Sequence, residues 1–315
     1  MTQPVDHSHD GLAGEPRLRR DLNLGTLAGL PRASRGWRAT LREQLALLKA
    51  DGYEAVQIWT PDDAACDAAR EAGLALTGMG SARAPVEVAP LVKHQLDLGC
   101  GITTLHLGDS FESDAEMDAF AAAVLDASAR HAQPVYVETH RGTLTQDIRR
   151  TLDWVRRWPA LRFNADLSHW YTGHELTYGG EFQTRLARLQ PVLDRVRFLH
   201  ARVGNPGCIQ TALDEPGDSL GHFREMWTRC FAGFLRSARP GDFLSITPEL
   251  LPQRLGEGAG ASWLHYAQPR ADSRRRAFGG EPSDRYDDAA RLWDIASECF
   301  VVARQDLTPG QSHAC

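Results

Sequence analysis

Short apolar runs alternate along this chain with segments of helical period. The runs are rich in residues that favour strands, and several are bounded by Gly, Pro or Asp, as strand ends commonly are. Eight such runs predict strands at residues 22–25, 55–59, 74–78, 103–107, 135–139, 162–166, 197–201 and 243–247.

The segments between the strands carry apolar residues at helical spacing. One helical face is predicted by residues four, four and three positions apart, namely Trp37, Leu41, Leu45 and Leu48. Gly52 is expected to end that helix, as a glycine beyond the last turn often does. Further helices are predicted over residues 114–132, 143–158 and 286–302.

Strict alternation of strands and helices implies a parallel sheet, and eight repeats imply closure. The predicted fold is therefore α/β, a (β/α)8 TIM barrel over residues 21–303. Residues 1–20 are expected to form a polar arm outside the fold, and residues 304–315 a tail. Two long loops, 203–219 and 252–284, are predicted at the carboxyl face, where barrel active sites lie. An open doubly wound sheet lacks the Gly-rich dinucleotide loop it would need.

Composition narrows the class of protein. The 315 residues carry a net charge of −6 and show no basic stripe, so no nucleic-acid partner is expected. Six cysteines without a CxxC pair indicate reduced thiols and a cytoplasmic location. No apolar stretch approaches membrane-spanning length, so no membrane partner is expected. Assembly into a homo-oligomer is left open.

Polar residues end four successive predicted strands. Glu138 ends the fifth, Asp166 the sixth, His200 the seventh, and Glu249 follows the eighth. Three carboxylates meeting at one end of a barrel repel one another unless a cation lies among them. Carboxylate and imidazole are normal ligands of Mn, Zn, Co and Mg. These four residues are therefore predicted to bind one divalent metal ion.

Each residue also has a structural interpretation. Glu138 can pair with Arg141, Asp166 can cap a turn, His200 can be a buried histidine, and Glu249 can be an exposed loop acid. The metal site is absent only if all four of these structural interpretations are true at once. Two further strand-end histidines, His106 and His140, are expected to contact substrate.

Four segments resemble the xylose-isomerase-like TIM barrels, the sugar phosphate isomerase/epimerase superfamily. They are residues 135–140 (VYVETH), 166–169 (DLSH), 200–202 (HAR) and 247–249 (TPE), and the stretch before the fourth strand is also similar. The resemblance covers about residues 21–303. It implies a metal bound by residues after strands five to eight, with His169 holding substrate oxygens and Arg202 positioning the substrate. The two long loops depart from the family's pattern and make the substrate pocket different.

The resemblance implies a divalent-metal-dependent isomerase or epimerase of a sugar or polyol ketone, with Mn favoured over Co, Zn and Mg. Glu138 and Glu249 are expected to move protons through an enediolate, since a ligating carboxylate beside a cation can act as acid or base. The catalytic set is then Glu138, Glu249, His169 and Arg202, and the substrate contacts are His106, His140, His169 and Arg202.

Three alternatives remain open. The same residues can serve a dehydratase, that is, a lyase of an inosose or keto-sugar, when the substrate has a hydroxyl β to its carbonyl. An endonuclease IV-like nuclease would need further metal ligands after the third and seventh strands, where Met79, Gly80 and Ser81 stand and no Asp-x-His follows His200. A non-catalytic metal- or ligand-binding barrel would tolerate loss of His169 and Arg202.

Overall fold

Eight parallel strands close into a barrel in the computed structural model, which describes residues 3–252 and 283–307. Each strand pairs with the next, and the eighth pairs in parallel with both the seventh and the first. The fold is therefore the predicted TIM barrel. The strands are β1 Arg17–Asn23, β2 Ala55–Trp59, β3 Ala75–Ala82, β4 Ile102–Leu107, β5 Val135–Glu138, β6 Phe163–Ala165, β7 Val196–Ala201 and β8 Asp242–Pro248.

Helices surround the barrel, and local sequence explains where several of them begin. Thr40 and Glu43 form a capping box at the start of α1, and Ser113 and Glu116 form another at the start of α4. The helices are α1 Leu41–Ala50, α2 Asp63–Glu71, α3 Val88–Asp97, α4 Asp114–His131, α5 Ile148–Arg157, α6 Ser168–Gly173, α7 Phe182–Leu193, α8 Ser219–Leu235 and α9 Arg285–Leu307. No helix of the described ranges is long and apolar enough to cross a membrane.

Several element boundaries differ from the sequence prediction. Trp37 lies in a turn before α1, since Thr40 caps the helix, and Leu41 is 37% exposed. The helix predicted from residue 143 begins at Ile148, because the Asp147 side chain accepts a hydrogen bond from the backbone of Arg150 and caps it. The loop predicted over 203–219 is observed up to the start of α8. Most of the predicted loop 252–284 lies outside the described residues.

The N-terminal segment packs against the amino end of the barrel. Residues Ser8–His9 form a two-residue strand that pairs antiparallel with the start of β8. The Ser8 hydroxyl lies 2.9 Å from that of Tyr136 inside the barrel. The first strand begins at Arg17, so four residues assigned to the arm belong to the barrel. This segment covers the end of the barrel opposite the predicted metal ligands.

The barrel interior changes from apolar to polar towards its carboxyl end. Near the amino end a separate apolar cluster consists of Ile102, Tyr136, Phe198 and Phe243. Above it, Arg19 makes two hydrogen bonds, of 2.8 and 2.6 Å, to the buried carboxylate of Asp21. Arg19 also lies 3.3 Å from Thr77 Oγ1, so this charged pair has its hydrogen-bond partners within the barrel interior.

Candidate metal centre and active site

The four predicted metal ligands meet at the carboxyl end of the barrel. Glu138 is the last residue of β5, Asp166 directly follows β6, His200 lies in β7, and Glu249 directly follows β8. All four are buried, and one ligand atom from each lies within 4.8 Å of the others. Parallel strands deliver their carboxyl ends to one face of a barrel, so residues up to 111 positions apart in the chain come together.

The His200 Nδ1 atom lies at the centre of this group. It is 3.4 Å from Glu249 Oε2, 3.6 Å from Glu138 Oε1 and 3.9 Å from Asp166 Oδ2. Ligands at about 2.0–2.2 Å from a tetrahedral ion lie roughly 3.3–3.6 Å apart. The three distances from His200 Nδ1 are therefore within a few tenths of an ångström of the spacing around one divalent ion.

A chain of hydrogen bonds fixes how His200 faces this centre. Its Nε2 lies 2.8 Å from the Gln57 Oε1 atom. The Gln57 amide donates through Nε2 to Thr104 Oγ1 at 2.9 Å, and Thr104 donates to the Gly78 carbonyl at 3.4 Å. Gln57 Oε1 is thus the acceptor at 2.8 Å, closer to His200 Nε2 than the Asn164 amide nitrogen at 3.1 Å, and we therefore assign the proton of the neutral His200 ring to Nε2. The ring's Nδ1 then faces the carboxylates and has no hydrogen-bond partner among the described residues.

Two asparagines hold the glutamate oxygens that point away from His200. Asn23 donates to Glu249 Oε1 at 3.1 Å, and Asn164 donates to Glu138 Oε2 at 3.0 Å. Each glutamate therefore has one oxygen fixed by an amide and one directed at the centre. Outer contacts of this kind orient ligating carboxylates before a metal binds.

Arg202 joins the carboxylates to the predicted substrate residue His169. Its guanidinium contacts Asp166 and lies 3.3 Å from Glu249 Oε2. The Asp166 Oδ1 atom accepts hydrogen bonds from the backbone and the hydroxyl of Ser168, at 3.1 and 2.6 Å. Arg202 also donates to His169 Nε2 at 3.0 Å. Because that nitrogen accepts, His169 carries its proton on Nδ1 and is a neutral donor.

Electrostatics reflect three carboxylates in a small buried volume. Burial raises the pKa of Glu249; the positive charges of His200 and Arg202 oppose this rise, and the charges of Glu138 and Asp166 add to it. Burial opposes ionisation of Glu138 as well, but His106 and His200 hold its pKa well below the ordinary value. Burial alone would lower the pKa of His200, yet the three surrounding carboxylates raise it to about 9. The centre thus favours a second proton on His200, at Nδ1, which a bound divalent ion would displace.

A cavity of about 510 Å³ opens beside these residues. Its polar side includes a row of three histidines, in which the rings of His106 and His140 lie 4.1 Å apart and those of His140 and His169 lie 4.0 Å apart. Its apolar side is formed by Trp59, Met79, Ile209 and Leu251. Such a cavity suits a small molecule with oxygens on one side and carbon–hydrogen groups on the other.

All eight predicted site positions lie in or beside this cavity. The four predicted ligands form the cluster, His169 and Arg202 adjoin it, and His106 lies 3.1 Å from Glu138 Oε1. Three supporting residues were not predicted from the sequence, namely Asn23, Gln57 and Asn164. Each is a polar residue at an inward position of a strand with buried neighbours, and that pattern was the available signal.

Comparison with known proteins bears on the fold. No family model matches the sequence, and no curated protein matches it. Solved xylose-isomerase-like TIM barrels and sugar phosphate isomerase/epimerases are among the structural matches. The xylose isomerase-like TIM barrel protein from Mycobacterium smegmatis, in complex with magnesium, is 12% identical, with a TM-score of 0.48 over 90% of this chain and 97% of that one.

Two further structures are similar at the same level. A sugar phosphate isomerase/epimerase from Parabacteroides distasonis is 10% identical, with a TM-score of 0.49 over 95% of this chain and 98% of that one. A probable 3-DHS dehydratase from Bacillus anthracis is 13% identical, with a TM-score of 0.49 over 74% and 92%. Because these scores are below 0.5, the barrel assignment rests on the strand order.

Proposed function

We propose that this chain is a divalent-metal-dependent isomerase or epimerase acting on a sugar or related polyol ketone. One observation carries the proposal. Three buried carboxylates surround His200 Nδ1, and the Arg202 guanidinium contacts two of them, Asp166 and Glu249. With a neutral His200 the group has three negative charges and one positive charge. A single divalent ion makes it neutral, which removes the cost of burying unpaired charge.

The ion would be held by Glu138, Asp166, His200 and Glu249. Oxygen-rich ligand sets with one imidazole suit manganese, and magnesium, cobalt and zinc can occupy the same set. When bound, such an ion would polarise the carbonyl and the neighbouring hydroxyl of a substrate. The proton on the carbon that bears this hydroxyl would then become more acidic.

The residues around the ion have separate proposed roles. Glu138 and Glu249 reach the centre from two non-adjacent strands, β5 and β8, and would remove a proton from one substrate carbon and return it to another. Arg202 and the Nδ1–H of His169 would donate hydrogen bonds to substrate oxygens, because both adjoin the cavity. His106 and His140 extend this row of polar groups and would meet oxygens farther along the substrate.

A dehydratase remains the second candidate because it uses the same first step. If the substrate carries a hydroxyl β to the carbonyl, the enediolate would expel that hydroxyl, which would leave as water on taking a proton from an acid, instead of being reprotonated at carbon. The substrate's position over Glu138 or Glu249 decides between the two outcomes. The product therefore distinguishes an isomerase from a lyase.

The test is proton exchange in deuterated water with the manganese-loaded protein. Keto-sugars and inososes are incubated with protein, and each product is examined for deuterium and for loss of water. Deuterium at a carbon next to the carbonyl, in a product of unchanged composition, supports an isomerase or epimerase. Deuterium with loss of water supports the dehydratase. If no ketone in either set exchanges a proton with metal-loaded protein, the proposal is wrong.

A further inference from the structure

A groove on the outside of the barrel, between α5 and α7, lies apart from the proposed metal centre. Its volume is about 670 Å³, and it shares no lining residue with the cavity beside that centre. Four arginines line it, Arg149 and Arg156 of α5 and Arg185 and Arg188 of α7. The acidic residue of this lining, Asp147, caps α5 by accepting a hydrogen bond from the backbone of Arg150 at 2.8 Å. The groove is therefore positive, although the chain has a net charge of −6.

The four guanidinium groups keep hydrogen-bond donors that the protein does not use. Asp153 accepts from Arg149 at 2.9 Å and from Arg156 at 2.5 Å, so one carboxylate serves both arginines. Arg185 donates to two backbone carbonyls, at 3.4 and 2.5 Å. Arg188 is exposed and has no hydrogen bond or ion pair with any residue that the structure describes. Because each guanidinium has five N–H donors, these contacts leave donors for a ligand.

The spacing of the arginines requires a ligand with several anionic groups. Arg149 and Arg156 are seven residues apart, which is two helical turns or about 10 Å along α5. Arg185 and Arg188 are three residues apart and therefore neighbours on the surface of α7. A single carboxylate or phosphate cannot reach both ends of this set, but a chain of linked phosphates can. Each phosphate also has three strong acceptor oxygens, which match the planar donor fork of arginine.

The floor of the groove is apolar. Four aliphatic side chains line it, namely Ile148, Leu152, Leu176 and Leu189. A bare inorganic anion would leave this surface in contact with water, whereas an organic body would cover it favourably. The volume of about 670 Å³ also lies within the roughly 300–1,000 Å³ of small-molecule sites. We propose that the groove binds an organic polyphosphate, with its phosphates on the four arginines and its organic body on the aliphatic floor.

The experiment is calorimetric titration of the full chain with adenosine triphosphate, inorganic triphosphate and adenosine. We expect one adenosine triphosphate to bind per chain, inorganic triphosphate to bind more weakly, and adenosine to show no measurable binding. Added salt should weaken the binding of adenosine triphosphate, because salt screens contacts between exposed charges. Arg156→Gln and Arg188→Gln should each lower its affinity about tenfold, since each removes hydrogen bonds to a charged group.

Arg130→Gln is the matched control and should leave the affinity unchanged. The Arg130 side chain in α4 is 61% exposed and pairs with Asp126, just as that of Arg156 is 62% exposed and pairs with Asp153. Binding that persists unchanged in Arg156→Gln and Arg188→Gln would place the ligand elsewhere and overturn the proposal. A lack of saturable binding would overturn it too, as would inorganic triphosphate that binds as tightly as adenosine triphosphate. Circular dichroism of each variant shows whether it is folded.

Discussion

Gln57 fixes the tautomer of His200, and its replacement tests how the metal centre is built. Its Oε1 accepts from His200 Nε2 at 2.8 Å, while Thr104 keeps the amide in that orientation. Leucine has a similar volume but no acceptor. Gln57→Leu should therefore leave the Nε2–H of His200 unpaired and remove the preference for a bare Nδ1 facing the carboxylates.

The expected magnitude follows from the role of this hydrogen bond in orienting His200. Removing a partner that orients a metal-ligating histidine costs about 10–100-fold in metal affinity. At 1.36 kcal/mol for each tenfold change, this corresponds to about 1.4–2.7 kcal/mol of binding free energy. The free energy of unfolding should also fall by about 1–3 kcal/mol, because a buried N–H is left unsatisfied.

The assay is competition for manganese between the protein and a chelator of known affinity. Gln95→Leu is the matched control, because Gln95 is also buried and also bonds a threonine, accepting from Thr103 Oγ1 at 2.8 Å. It should lose stability without losing manganese affinity. Gln57→Glu retains an acceptor and should recover most of the affinity. If Gln57→Leu binds manganese as tightly as the unsubstituted protein, the tautomer argument is wrong.

Three other predictions concern single residues. His169→Ala should keep the manganese content but lose most proton exchange; loss of the metal would instead make His169 a ligand. Glu249→Gln should lower the exchange rate by about 10²–10⁴-fold, as expected for a positioned base, while metal analysis still finds the ion; an unchanged rate would remove Glu249 from proton transfer. Burial and Arg197 lower the pKa of His7 from 6.5 to about 4. The folded state therefore loses stability as the pH falls through this range, and His7→Phe should flatten the melting temperature measured against pH; an unchanged slope would contradict the assignment.

The barrel was predictable because strand and helix patterns are local. Each buried strand stands out as a short apolar run, and the order of runs and helices limits the topology to very few solutions. Boundaries were less predictable because they depend on caps. Asp147 and Thr40 set the helix starts through hydrogen bonds to backbone amides, and these are not visible in the apolar periodicity.

The meeting of Glu138, Asp166, His200 and Glu249 at one end of the barrel was also predictable, since a charged residue at the end of a buried strand is costly without a partner. The residues that hydrogen-bond to this group could not be predicted from the sequence. Asn23, Gln57 and Asn164 matter because the closed barrel brings β1, β2 and β6 to the same centre, and no local pattern gives the distances between those strands. The docking of His7 and Ser8 was missed for a related reason, because polar residues in an N-terminal segment resemble a solvated arm.

The most direct test of the metal centre is removal of the ion. Protein loaded with manganese is melted with and without saturating chelator, and its metal content is measured before and after. We expect one manganese per chain to be lost, together with a clear fall in melting temperature, because a ligand bound to the folded state contributes to its stability. An unchanged melting temperature, with no manganese bound before the chelator was added, would contradict the account.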